Sequence, residues 1–188
     1  MPREVRLRTS SISSRTCSEG EFTIAQRHRL FTAADGYSQV DLLRFARYHL
    51  ASAKVLWTRS FDCFDSAGVL CHLGLELLFK AVLLHSNGAF PATHDLAYLL
   101  RLLAKSPHAL RLTQAQSALL VKIDGLFSLR YPEPNGSPEI GDEDVIRVEA
   151  LVRDLVRQLP AELRLRFTSR GPCEKGGRIL MRRPKAKA

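Results

Sequence analysis

Residues 68–84 read Gly-Val-Leu-Cys-His-Leu-Gly-Leu-Glu-Leu-Leu-Phe-Lys-Ala-Val-Leu-Leu, apolar on nearly every side. A helix that is hydrophobic all round has no face to give to water, so this segment has to lie at the centre of the fold. It still carries His72, Glu76 and Lys80 at four-residue spacing, and residues at i, i+4 and i+8 fall on nearly one side of a helix. A buried polar stripe costs stability unless its members are paired. The stripe therefore predicts either a structural ion pair or a site.

The same periodicity flanks this helix. Leu43, Ala46, Leu50, Ala53 and Trp57 recur three and four residues apart, which predicts a helix over residues 40–60 with Asp41 near its positive end. The central helix is expected over residues 63–85, stopping at Asn87-Gly88. Gly68 and Gly74 each cost roughly 1 kcal/mol relative to alanine inside a helix, so their use is the close approach of a neighbouring helix. Thr93 can cap a third helix over residues 94–105 that presents Leu96, Leu99, Leu100 and Leu103. Thr113 and Gln116 form a capping box for a fourth, reaching about residue 127 with Leu119, Leu120, Ile123 and Phe127 on its apolar face. Asp142, Glu143 and Asp144 open a fifth, which Pro160 ends; Val145, Val148, Val152, Leu155 and Leu159 face inward. With no repeat and no strand signal, the expectation is an all-α, five-helix up-and-down bundle with flexible basic N- and C-terminal tails. Residues 1–38 form an arm, 39–160 the bundle and 161–188 a basic tail.

Charge follows that division. The net charge of +9 resolves into +3 on residues 1–30, −1 on 31–159 and +7 on 160–188. The globular part is neutral, and the basic ends are either solvated extensions or handles for a polyanion. Cys17, Cys63, Cys71 and Cys173 contain no C-x-x-C pair, which argues against a disulfide framework and a zinc knuckle and fits reduced thiols in a cytoplasmic protein. No run of about 18 uninterrupted apolar residues occurs, so no membrane-spanning helix and no membrane partner are expected. Residues 1–16, rich in Arg and Ser, lack the apolar core of a secretory signal. His72, His85 and His94 lack metal-ligand spacing, and Glu174-Lys175-Gly176-Gly177 is no phosphate-cradling loop, so neither a metal nor a cofactor is expected.

Three short motifs appear in order: Glu76-x-x-x-Lys80 on the central helix, Pro91-x-x-His94-Asp95-Leu96 at the start of the next, and Arg130-Tyr131-Pro132 before the last. In this order, and in a five-helix pattern, they resemble the HEPN domain family (higher eukaryotes and prokaryotes nucleotide-binding), over about residues 40–159. The resemblance implies a helical bundle, usually dimeric. Its members include RNA-cleaving toxins, RNA-processing nucleases and non-catalytic partners of minimal nucleotidyltransferases. Active nucleases of the family are implied to use an Arg-x(4–6)-His motif near the fourth and last helices, paired across a dimer. There an arginine stabilises phosphate charge and a histidine moves a proton without metal. This chain departs from that pattern: Arg130 is in the expected region, but no histidine follows it, the last being His108. Arg44 to His49 and Arg101 to His108 match the bare spacing but lie elsewhere.

The site residues carry competing readings. Glu76 and Lys80 are expected first as a structural polar pair and second as the wall of a pocket where Lys80 faces a phosphate. His72 reads as a satisfied core or interface histidine. His94 is expected to fold back onto Glu76 or the Arg130 loop, or else to line a groove with Lys80 and Arg130. Arg130 and Tyr131 are the candidates for phosphate contact and base stacking, against a plain turn packed by Tyr131. The leading expectation is therefore a non-catalytic nucleotide- or RNA-binding module with Lys80, His94, Arg130 and Tyr131 as its contacts. It would be homodimeric and pair with a nucleotidyltransferase in a toxin–antitoxin or defence-type system. Two alternatives stand beside it. One is a metal-independent endoribonuclease with a degenerate site drawn from Arg130, His108 and Arg101. The other is a structural protein that docks a partner helix.

Overall fold

The computed structural model describes residues 28–59, 63–130 and 141–169. Tyr131, with the rest of the loop after Arg130, and most of the expected arm and tail lie outside the described residues. Helix α1 (Gln39–Arg59) packs along α2 (Phe64–Asn87), and the two form the most extensive helix pair in the molecule. Helices α3 (Leu96–Leu103), α4 (Gln114–Gly125), α5 (Asp142–Gln158) and α6 (Ala161–Thr168) complete the bundle.

Helix α2 is the core. Leu75, Leu78, Phe79, Ala81 and Val82 have no exposure, and Gly88 ends the helix in the left-handed conformation with φ 73°. By length and composition α2 is long and apolar enough to cross a membrane, but 78% of its most apolar window is buried against the rest of the protein. The two internal glycines sit where neighbours press closest. A Cβ on Gly74 would lie 2.6 Å from Leu50 Cγ and 3.1 Å from the Ala46 carbonyl of α1, and one on Gly68 would lie 3.0 Å from Leu126 Cδ1.

Helix α4 starts at the Thr113–Gln116 capping box, with both reciprocal bonds formed. The start of α3 is later than the sequence suggests: Asp95, not Thr93, is the N-cap and accepts from the Tyr98 amide at 2.6 Å, while Thr93 Oγ1 accepts from the Asp95 amide. The Asp95 carboxylate reaches a free amide of the first turn, and Thr93 braces the cap from behind.

Two corrections to the five-helix expectation follow. Pro160 does not terminate the bundle; it occupies the N-cap of a sixth helix, since proline's fixed φ suits a helix start. Leu163 and Phe167, one turn apart, are buried as α6 packs on α1, so residues 161–168 belong to the bundle rather than to the tail. The second correction is a two-stranded antiparallel sheet, β1 (Leu30–Thr32) with β2 (Ala89–Pro91), in register Leu30↔Pro91, Phe31↔Phe90 and Thr32↔Ala89. Three residues per strand are too few to show a period-two pattern. The sheet is held by an aromatic cluster in which Tyr37 lies 5.0 Å from Phe31 and 5.1 Å from Phe90, ring to ring. Residues 30–38 thereby join the folded unit.

Candidate functional site

The polar stripe of α2 faces α3, α4 and the 3-10 turn Leu126–Arg130. Its centre is Glu76, 3% exposed. Lys80 Nζ donates to Glu76 Oε1 at 2.5 Å. His94, immediately before the N-cap of α3, donates from Nδ1 to Glu76 Oε2 at 2.9 Å. His72 Nε2 lies 3.6 Å from the same oxygen, and its Nδ1 lies 3.6 Å from Asp124 Oδ1 of α4. Both distances exceed hydrogen-bond range, and neither His72 nitrogen has a hydrogen-bond partner among the described residues. Asp124 Oδ1 also accepts from the Leu96 amide at 3.1 Å, so α4 supplies a second cap to α3.

Burial pushes the Glu76 carboxyl up, but His72, Lys80 and His94 together outweigh it and hold the group at about 2. Glu76 is thus a carboxylate, and its charge is matched by an ammonium that is itself 7% exposed. At the Lys80 end of the stripe, the Phe90 ring centre lies 5.6 Å from Lys80 Nζ. This geometry removes Lys80 from direct contact with a solvent-borne phosphate: the side chain is buried and committed to Glu76.

Phe127 joins the inner histidine to the surface. Its ring stacks on His72 at 4.4 Å and 22°, and on His94 at 4.7 Å and 27°. The Arg130 guanidinium carbon sits 3.4 Å from the same ring centre, with Nε donating to the Phe127 carbonyl at 3.0 Å. The His94 side chain is 59% exposed, and Arg130 is exposed as well. One buried carboxylate, one stacked phenyl ring and the 3-10 turn thus hold a histidine and an arginine against the same ring at the surface. The arrangement offers a fixed positive group, a ring nitrogen outside the Glu76 bond, and apolar ring surface. These suit phosphate and base contact, and a carboxylate-held histidine is also competent for proton transfer.

Among the expected binding residues, His94 and Arg130 meet on one ring, Lys80 lies beneath them, and Tyr131 is outside the described residues. Arg101 and His108 are placed elsewhere: Arg101 lies over Tyr98 at 5.8 Å, and His108 lies 5.3 Å from His85. In α1, Arg44 pairs with Asp41 at 2.7 Å, and burial lowers the His49 pKa. No group of three or more His, Cys, Asp and Glu side chains that could hold a metal ion occurs among the described residues.

Two contributors were not singled out from the sequence. Phe127 reads there only as a core position of α4, although Arg130 three residues later is at the spacing that sets a guanidinium over a ring in a tight helical turn. Asp124 acts on an amide 28 residues earlier in the chain, a contact that local spacing does not signal.

Comparison with curated proteins returns no match, and comparison with solved structures returns none. The family model of the HEPN domain matches residues 39–158, which span α1 through the end of α5 and include the whole Glu76–Phe127 cluster. The match covers well over half of the chain, and the protein belongs to the HEPN domain family.

Proposed function

We propose that this protein is a non-catalytic nucleotide- or RNA-binding module of the HEPN family, contacting its ligand through His94 and Arg130. Family membership suggests a nucleotide- or RNA-related function. The observation that carries the more specific reading is the seating of His94 and Arg130 on the Phe127 ring, at the surface and braced from within by Glu76. The positions five to seven residues beyond Arg130, at which the family's nucleases carry their histidine, are Asn135-Gly136-Ser137. That sequence favours holding a phosphate over cleaving it. In this reading the chain works as a homodimer and pairs with a nucleotidyltransferase-type protein in a toxin–antitoxin or defence-type system.

The test is binding of labelled RNA and of nucleoside triphosphate by the full chain at low and high salt. Affinity should fall as salt rises, and His94→Ala and Arg130→Gln should each weaken it. Absence of binding at low salt contradicts the proposal. Sedimentation velocity tests the dimer, with a monomer at working concentration contradicting that part.

A second reading, endoribonuclease activity, is favoured by one feature: the bond to Glu76 engages Nδ1 of His94 and leaves Nε2 outside it, on a ring that Phe127 also places against Arg130. Incubation with RNA in chelator separates the two. Cleavage lost in His94→Ala supports the nuclease; RNA that stays intact supports the binding module.

A further inference from the structure

His72 is fully buried, and both of its ring nitrogens lack a hydrogen-bond partner among the described residues. Buried polar groups are rarely left in that state, and the surroundings of this one are charged. From its own helix, Glu76 presents Oε2 to Nε2 at 3.6 Å, with Lys80 bound to the other carboxylate oxygen. From α4, Asp124 presents Oδ1 to Nδ1 at 3.6 Å. From the entry to α3, His94 shares Glu76 Oε2 at 2.9 Å. From the 3-10 turn, Phe127 stacks on the His72 ring and carries Arg130. On the far side of α2, Gly74 packs on α1, about 200° around the helix from His72.

Each nitrogen of His72 thus faces a carboxylate oxygen, a few tenths of an ångström beyond hydrogen-bond range. A neutral imidazole carries one ring proton, so one nitrogen would turn a bare lone pair toward an anion. The imidazolium donates from both nitrogens and finds an acceptor on each side. Local charge agrees. Leaving aside the solvent-facing His94, Glu76 and Asp124 bring two negative charges and Lys80 one positive. One proton on His72 brings the buried group to neutrality, which is the condition for burying charge at all.

We propose that His72 is the inner positioning residue of the site: as an imidazolium it bridges Glu76 to Asp124 and so fixes the carboxylate that holds His94. Its consequence for ligand rests on the RNA-binding reading above; the bridge itself does not. With the proton in place, Asp124, His72, Glu76 and His94 form one chain from α4 through α2 to the entry of α3. Asp124 also accepts from the Leu96 amide at 3.1 Å, so the chain grips that entry at both ends. Without the proton, one carboxylate faces a lone pair and is pushed away, and His94 loses its fixed place. Ligand affinity therefore falls as rising pH removes the His72 proton.

The test uses the full chain with nitrogen-15-labelled histidine. Long-range proton–nitrogen spectra from pH 5 to pH 9 read which ring nitrogens carry a proton, with His72→Gln and His94→Ala assigning the two signals. Anisotropy with a labelled oligouridylate of about 12 nucleotides follows binding over the same range. Wild type should show both His72 nitrogens protonated at pH 6. His72→Gln should move the His94 Nδ1 signal and bind about tenfold more weakly at pH 6, the worth of one charge-assisted contact. It should also lack any fall in affinity that accompanies loss of the His72 proton, keeping only the change that follows His94. Asp124→Asn, at a side chain 28% exposed, decides the matter if His72→Gln fails to fold: its His72 proton should leave at lower pH and its affinity should fall with it. A His72 that is neutral at pH 6 overturns the bridge. Equal affinity of wild type and His72→Gln at pH 6, or a His72 proton lost with no change in affinity, overturns the positioning role. If wild type binds no RNA at any pH, the binding reading falls, and the His94 signal still decides the bridge: moved in His72→Gln it stands, unmoved it falls.

Discussion

Glu76 is the residue on which the site turns. Three basic groups converge on it, and its carboxyl is held at about 2 against an ordinary value of 4.5. A folded-state value below the unfolded one contributes stability that is present in full above about 4.5 and is lost as pH falls toward 2. The shift corresponds to about 3 kcal/mol. Urea midpoints measured from pH 6 to pH 2 should drop across that window, and the drop should flatten in Glu76→Gln. The same substitution leaves Lys80 buried without its counter-charge and should cost about 3–5 kcal/mol at neutral pH. A variant as stable as wild type would refute the pairing. Burial also pushes the Cys71 thiol up to about 12, so Cys71 should resist a thiol reagent at pH 8 in the folded protein and react once urea unfolds it. Four-residue spacing made Glu76 and Lys80 legible in the sequence as partners. The part played by His72 was not legible, because its neighbours, Asp124 and Phe127, arrive from a helix and a turn more than fifty positions away.

At the scale of elements, the glycine of α2 shows that packing overrules propensity. An alanine at Gly74 would gain roughly 1 kcal/mol of helix propensity, but its Cβ would meet Leu50 Cγ at 2.6 Å and the Ala46 carbonyl at 3.1 Å. The carbonyl belongs to a helix backbone and cannot step aside. Gly74→Ala should therefore lower stability by about 1–3 kcal/mol, visible as a lower melting temperature; an unchanged or raised one would mean that α1 shifts freely. Element boundaries were readable where a cap announces them, as at Thr113–Gln116 and Asn87-Gly88. They were misread at Pro160, where one residue serves both as the stop of a helix and as the start of the next. Leu163 and Phe167 are a buried pair on α6, yet two apolar positions in eight residues are too few to show a period. Phe167→Ala should cost about 3 kcal/mol, which an exposed tail residue would not.

For the whole molecule, residues 31–168 carry no net charge, and +6 falls on residues 170–188. The polar centre of the bundle is built to hold His94 and Arg130 still. Lys80, expected among the ligand contacts, is instead spent on Glu76, inside the fold. The helical class and the family were legible because they depend on periodicity and on motif order. The expected return of His94 onto Glu76 is formed, but the Phe127 ring that His94 and Arg130 share was not legible, because it depends on how α3 and the 3-10 turn dock across α2. The most direct test of binding without cleavage follows both binding and integrity of one labelled RNA in chelator at low salt, with wild type, His94→Ala and Arg130→Gln. The account predicts that wild type binds the RNA and leaves it intact, and that both variants bind more weakly. RNA that wild type cuts and His94→Ala leaves whole, or binding that neither variant changes, would contradict it.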